Sequence, residues 1–222
     1  MNKEYFESDS LLREQKYIVK KGYIPQFVID SIYKWYNDYK NKFVFTSEKG
    51  LAYNAYVIKN PSEFNQLDKL FDVLTPRIEA ITHSKLIPVY NYGRVYKNGS
   101  YMLKHRDRAQ CDVSLTMPIA FNNKKPWPIK IKTVTKEEKE INLYVGDALI
   151  YRGGELTHWR DENTFNTIQY QHFFHWIDTE SECGKYMSNF SLEEIKNARL
   201  WPLPFNELKE RGLLPLPGNK NV

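Results

Sequence analysis

Two histidines and an aspartate stand out among the residues that could do chemistry. The chain carries five histidines, His83, His105, His158, His172 and His175. His105 is followed at plus two by Asp107, and on a strand that spacing puts imidazole and carboxylate on one face. His158 comes 53 residues later, just past Gly146-Asp147-Ala148-Leu149-Ile150-Tyr151-Arg152-Gly153-Gly154. Two histidines and one carboxylate fill three positions around an octahedral iron(II) and leave the opposite face open for a bidentate co-substrate and dioxygen. A His-x-Asp tripeptide alone also fits a surface ion pair, so the reading depends on the elements that hold it.

Those elements fall into layers. From residue 25 to about 42, Phe27, Val28, Ile32, Trp35, Tyr36 and Tyr39 recur at three- and four-residue spacing behind Pro25, which predicts a helix with one buried face. Pro61-Ser62-Glu63 followed by Phe64, Leu67, Leu70, Phe71 and Leu74 predicts a second helix, kinked at Pro76 before Ile78 and Ile81. Residues 47–58 read as a loop with a strand. From Lys85 the pattern changes to alternation and β-branched or aromatic runs. LIPVYNYGRVY, SYMLKHRD, CDVSLTMPIAF, WPIKIKTV, EINLYVGDALIYRG and NTIQYQHFFHWID are strand candidates, parted by turn signals such as Lys97-Asn98-Gly99 and Asn122-Asn123-Lys124. Many short, evenly spaced strands imply a sandwich or barrel. Beyond Asp178 the sequence predicts a short helix over residues 191–200, opened by a Ser-x-x-Glu capping box, and a proline-rich tail that packs or forms a lid. Without repeats or low-complexity linkers, residues 1–222 read as one domain: helical support over 1–84, a β core over 85–178 and a C-terminal extension over 179–222.

Composition sets the outer limits. With 222 residues and 41% hydrophobic content, the chain can bury a real core. The 15% aromatic fraction, with sixteen tyrosines and twelve phenylalanines, suits strands and lined pockets better than a helical bundle. Net charge is +5, but lysines and arginines are interleaved with acids, which argues against nucleic acid as the partner. Cys111 and Cys183 cannot build a disulfide framework or a four-thiolate zinc site. A charged N-terminus and the absence of any long apolar run predict a soluble, cytoplasmic protein with no membrane partner.

At this point the sequence resembles the iron(II)/2-oxoglutarate oxygenases, in particular their prolyl 4-hydroxylase-like branch. Asn91-Tyr92-Gly93, Tyr101 and His105-Arg106-Asp107 are similar to the branch's first ligand-bearing hairpin, and Gly146 to Tyr151 ahead of His158 is similar to its approach to the distal histidine. The resemblance covers roughly residues 85–178. It implies a double-stranded β-helix (jelly roll), α+β with a mainly β core, supported by N-terminal helices and followed by a short helical tail. It further implies iron(II) on His105, Asp107 and His158, 2-oxoglutarate and dioxygen as co-substrates, ascorbate as a supporting reductant, and Tyr92 facing 2-oxoglutarate. The implied reaction hydroxylates a peptidyl proline or another amino-acid side chain, so a peptide or protein partner is expected. Tyr101 and Arg108 are the candidate substrate contacts, with Arg108 suited to an anionic group.

One position departs from the family. The branch anchors the far carboxylate of 2-oxoglutarate with Arg or Lys about ten residues after the distal histidine, where this chain has Ile168. A carboxylate in a barrel needs a cationic or strongly donating partner. Arg160 is the leading substitute: two residues past His158, it faces the same interior if the segment is extended, and its guanidinium can grip a carboxylate bidentately. Gln171, Arg94, Lys104 and His172 are the alternatives, and Arg160 could instead pair with Asp161 or Glu155. His175 and His83 read as packed or surface histidines. Two other functions stay open: a nucleobase or small-molecule oxygenase on the same fold, and a non-catalytic cupin-like binding domain.

Overall fold

The computed structural model describes residues 12–48, 52–58, 61–165 and 167–218. Helix α1 (Gln26–Asp38) buries Val28, Ile29, Ile32, Trp35 and Tyr36. Phe27 is 54% exposed instead of inward, because it lies about a third of a turn from the row through 28, 32 and 36. The second predicted helix is two helices in series: a 3-10 segment (Pro61–Leu70), then α2 (Phe71–Thr82), with Pro76 inside α2. Phe64, Leu67 and Leu70 are spaced by three, which matches a 3-10 repeat, whereas Phe71, Leu74, Ile78 and Ile81 follow the α period. These residues are buried together with Leu115, Phe174 and Trp176 of the sheet.

The strands are β1 (Tyr17–Lys20), β2 (Phe43–Glu48), β3 (Ala52–Ile58), β4 (Leu86–His105), β5 (Val113–Phe121), β6 (Ile129–Lys132), β7 (Glu138–Ile141), β8 (Ala148–Tyr151), β9 (His158–Arg160) and β10 (Gln169–Asp178). All pairings are antiparallel. The first half of β4, β10, β5 and β8 form one four-stranded layer, extended by β1. The second half of β4, β9, β6 and β7 form the other. These eight strands curl into a double-stranded β-helix, α+β and mainly β, as expected.

Three expectations about the strands need correction. Lys97-Asn98-Gly99 does not end a strand: β4 runs through it, with Gly99 at φ +78°. The glycine lets one strand bend from the first layer into the second. Residues 140–153 do not form a single strand either. They form the end of β7, a turn in which the Asp147 carboxylate accepts from Tyr144 N–H at 2.9 Å, and β8. Residues 43–58 hold a β2–β3 hairpin that extends the sheet beside β4.

Along β10 the side chains alternate between two environments. Gln169, Gln171, Phe173 and His175 face the barrel interior, where they meet the Trp127 amide, Thr116, Tyr92 and Ser114. Phe174 and Trp176 face the helices. The C-terminal part forms α3 (Glu182–Met187), α4 (Leu192–Lys196) and α5 (Phe205–Glu210). It packs Met187, Ile195, Trp201, Phe205 and Leu208 against Val89, Ala109 and Ile177. The Ser191–Glu194 capping box predicted from sequence is formed. Among the described residues no helix is long and apolar enough to cross a membrane.

Candidate metal centre and co-substrate cavity

His105 ends β4 and His158 opens β9, and the two residues are register partners. Their rings lie 4.2 Å apart, centroid to centroid. Asp107 follows the strand end, where its backbone N–H donates to Gly153 O at 2.8 Å. Its Oδ1 is 3.4 Å from His105 Nε2 and 3.5 Å from His158 Nε2. His105 Nδ1 contacts Leu103 O at 2.8 Å, and His158 Nδ1 contacts Leu156 O at 3.0 Å. A carbonyl can only accept, so both Nδ1 atoms carry the proton and both Nε2 lone pairs face the carboxylate. Three donor atoms of the right type therefore converge, and they fit a divalent metal.

Electrostatics act in the same direction. Burial works to raise the Asp107 carboxyl, but His158, His105 and His175 outweigh it and hold the group well below the usual carboxylate range. Burial lowers His158 to about 4 against the pull of Asp107. Near neutral pH the histidine is thus an uncharged ligand and the aspartate an anionic one. Gly153 makes the close approach possible. A Cβ there would lie 2.3 Å from Cys111 O, 2.6 Å from Asp107 Oδ2 and 2.7 Å from Ser114 Oγ. Neither Gly153 nor Gly154 has a positive φ; at Gly153 the requirement is space.

Inside the barrel, Tyr92 stacks on Phe173 at 4.6 Å and lies 5.6 Å from the His175 ring. His175 is buried and packed as expected; its Nδ1 contacts Ser114 Oγ at 2.9 Å. Arg160 is buried. Its guanidinium donates to Trp127 O and covers the Trp127 and Tyr96 rings at 4.8 and 5.9 Å. The alternative partners considered for it are engaged elsewhere: Asp161 pairs with Lys130 at 2.5 Å and Glu155 with Lys16 at 2.8 Å. Among the described residues no carboxylate pairs with Arg160. Burial lowers its pKa to about 10, which still leaves it charged.

The other anchor candidates separate clearly. Lys104 lies at the surface with Glu138. His172 faces the helices, where its Nε2 meets Asn91 Oδ1 at 3.0 Å. Gln171 donates to Thr116 Oγ1 at 2.6 Å and accepts from Gln169 at 2.8 Å. Arg94 is buried in the barrel with its guanidinium 5.2 Å from the Tyr92 ring. Sequence reasoning missed Tyr96. It is fully buried between Trp127 and Arg160, and its hydroxyl has no partner among the described residues. Among sixteen tyrosines, only its place nine residues before His105 could have singled it out.

A cavity of about 890 Å³ opens beside the triad. Its lining includes Tyr92, Arg94, His105, Asp107, Arg108 and Gln110. The 3-10 helix and the C-terminal extension also contribute walls through Asp68 and Lys196. Arg108, a candidate substrate contact from sequence, is among the lining residues. Tyr101 is not in this lining; it stacks on Tyr53 of β3 at 4.6 Å.

No protein-family model matches the chain, and no curated protein matches it by sequence. Solved structures do. A Pseudomonas putida prolyl-4-hydroxylase superposes with TM-score 0.58 at 10% identity, over 77% of this chain and 97% of that one. The non-haem α-ketoglutarate-dependent carbocyclase SnoK of nogalamycin biosynthesis gives 0.64 at 10%, over 81% and 85%. A Trichoplax adhaerens prolyl hydroxylase in complex with a hypoxia inducible factor peptide fragment gives 0.60 at 9%, over 82% and 91%. The chain has the fold of the iron(II)/2-oxoglutarate oxygenases.

Proposed function

We propose that the protein is an iron(II)- and 2-oxoglutarate-dependent hydroxylase. The observation that carries this reading is the convergence of His105 Nε2, His158 Nε2 and Asp107 Oδ1, with each imidazole proton held on Nδ1 by a backbone carbonyl. A surface ion pair has no need of two histidines turned in this way. Bound there, iron(II) with 2-oxoglutarate and dioxygen supplies oxidative decarboxylation of the keto acid coupled to hydroxylation of a C–H bond. The protein's own residues hold the geometry and exclude water. Arg160, buried without an anion, grips the far carboxylate of 2-oxoglutarate, and the Tyr96 hydroxyl donates to it. Tyr92 forms a wall of the same interior. The substrate is of the amino-acid type, a reading supported by the two prolyl hydroxylases among the structural relatives.

The experiment is an anaerobic titration of the metal-free protein with iron(II) and then 2-oxoglutarate, followed by succinate release in air with ascorbate present. A weak visible charge-transfer band and iron-dependent succinate are expected. His105→Ala, Asp107→Ala and His158→Ala should each lose both while staying folded. Arg160→Ala should keep iron but weaken 2-oxoglutarate binding by on the order of 2–5 kcal/mol, and Arg160→Lys should restore only part of it. Gln171→Ala should cost about 1 kcal/mol. Normal 2-oxoglutarate binding by Arg160→Ala together with loss in Arg94→Ala would move the anchor to β4, and turnover without 2-oxoglutarate would sink the reading.

A further inference from the structure

Arg108 differs in its partners from Arg106 and Lys196, which line the same cavity. Arg106 lies 3.8 Å from Glu207, and Lys196 faces Asp68, whose carboxyl burial raises and the lysine partly pulls back down. Arg108 has neutral neighbours only: the Tyr90 ring, 5.6 Å from its guanidinium, the Tyr90 hydroxyl and the Cys111 thiol. Among the described residues no carboxylate pairs with it. A half-buried guanidinium left among neutral groups has lost hydration without gaining a counter-ion, which is an unfavourable arrangement unless an anion arrives.

A second observation comes from the same turn. Gln110 is fully buried and lines the cavity. Its amide N–H donates to Ile195 O, which fixes the orientation of the side chain. Its Oε1 has no partner among the described residues. A buried acceptor of this kind costs about 1–3 kcal/mol until a donor reaches it. Arg108 precedes the 109–111 turn and Gln110 lies at its centre, and Arg108 directly follows the candidate ligand Asp107.

We propose that the substrate is a small amino-acid-type molecule whose free carboxylate sits on Arg108 and whose adjacent N–H donates to Gln110 Oε1, next to the metal triad. This rests on the hydroxylase reading and names the class of substrate for it. A free carboxylate excludes the interior of a peptide chain. The metal, Asp107, 2-oxoglutarate and Arg160 together come out neutral, so that group supplies no spare anion for Arg108.

The test uses nickel-loaded protein, which gives binding without turnover, and isothermal calorimetry in the presence of 2-oxoglutarate. The probes are the twenty L-amino acids, their carboxamides, the matching carboxylic acids without the amine, and inorganic phosphate. At least one amino acid should bind, with its amide at least tenfold weaker and its des-amino acid several-fold weaker. Arg108→Gln should weaken that binding tenfold or more and Arg108→Lys less, while 2-oxoglutarate binding to the same preparations stays within threefold and shows that they are folded. Arg106→Gln should change amino-acid binding less than threefold. If 2-oxoglutarate binds but no amino acid does, or if the amides bind as well as the acids, the inference is overturned and the hydroxylase reading survives. Tighter binding of phosphate than of any amino acid overturns it in favour of a phosphorylated substrate. Loss of 2-oxoglutarate binding in Arg108→Gln overturns it by making Arg108 the co-substrate anchor. Amino acids bound through Arg108 by a protein that takes up no 2-oxoglutarate would leave the carboxylate site standing and remove the hydroxylase reading.

Discussion

Gly153 shows at the scale of one residue what the candidate metal centre demands of its surroundings. The Asp107 carboxylate, the Ser114 hydroxyl and the Cys111 carbonyl all crowd the place where a Cβ would stand. Gly153→Ala should therefore lower stability by about 1–3 kcal/mol through overpacking. Because Asp107 must shift to make room, nickel affinity should fall as well; denaturant midpoints and a nickel titration would measure the two effects. An unchanged nickel affinity would mean that the carboxylate has more freedom than its contacts indicate. The candidate ligands His105 and Asp107 were legible because a two-residue spacing is a local property, although the strand itself ends at His105. The inward position of Arg160 was legible from the same two-residue spacing after His158. The unpartnered Tyr96 hydroxyl, the space requirement at Gly153 and the open acceptor on Gln110 were not, since each depends on neighbours remote in sequence.

Elements read well from sequence where one period dominated. Helix α1 was visible because five apolar positions repeat on one face, and α4 because its capping box is local. The bend in β4 was mistaken for a turn because Lys97-Asn98-Gly99 carries the same composition in either role. Strand β9, three residues long, is too short to show alternation. The C-terminal extension had two expected roles, packing or lid, and the structure gives packing. Trp201 is fully buried against Phe190 at 5.0 Å, and its Nε1 donates to Glu194 O at 3.1 Å. Trp201→Ala should cost about 3–5 kcal/mol by urea unfolding. It should also loosen Lys196 and Pro202, which border the cavity. A loss below about 1 kcal/mol would mean that the extension is held elsewhere.

For the whole molecule, the junction between barrel and extension is a buried charged cluster. Arg152 lies 2.6 Å from Asp178 and 3.8 Å from Asp112, and Asp112 accepts from Ser181 Oγ at 2.7 Å and from Asp178 N–H at 3.0 Å. Burial raises the Asp112 carboxyl to about 6, with Arg152 and Ser181 opposing. A carboxyl raised on folding holds more protons in the folded state than in the unfolded one between about pH 4 and 6. Its contribution to stability is thus fully present below about 4 and is lost as pH rises through 6. Relative to Asp112→Asn, the natural protein should lose on the order of 1–3 kcal/mol across that window, as measured by urea unfolding at several pH values; parallel curves would mean that Asp112 stays ionised. Strand order has a further consequence, this one for synthesis. β10 lies between β4 and β5, and its Asp178 pairs with Leu86. While the chain is being made, β4 and β5 leave the ribosome with their inner edges unpaired, and the first layer closes only after residue 178 has emerged. Folding is then governed by non-local closure, and until it occurs the nascent chain exposes strand edges that a neighbouring chain could pair with.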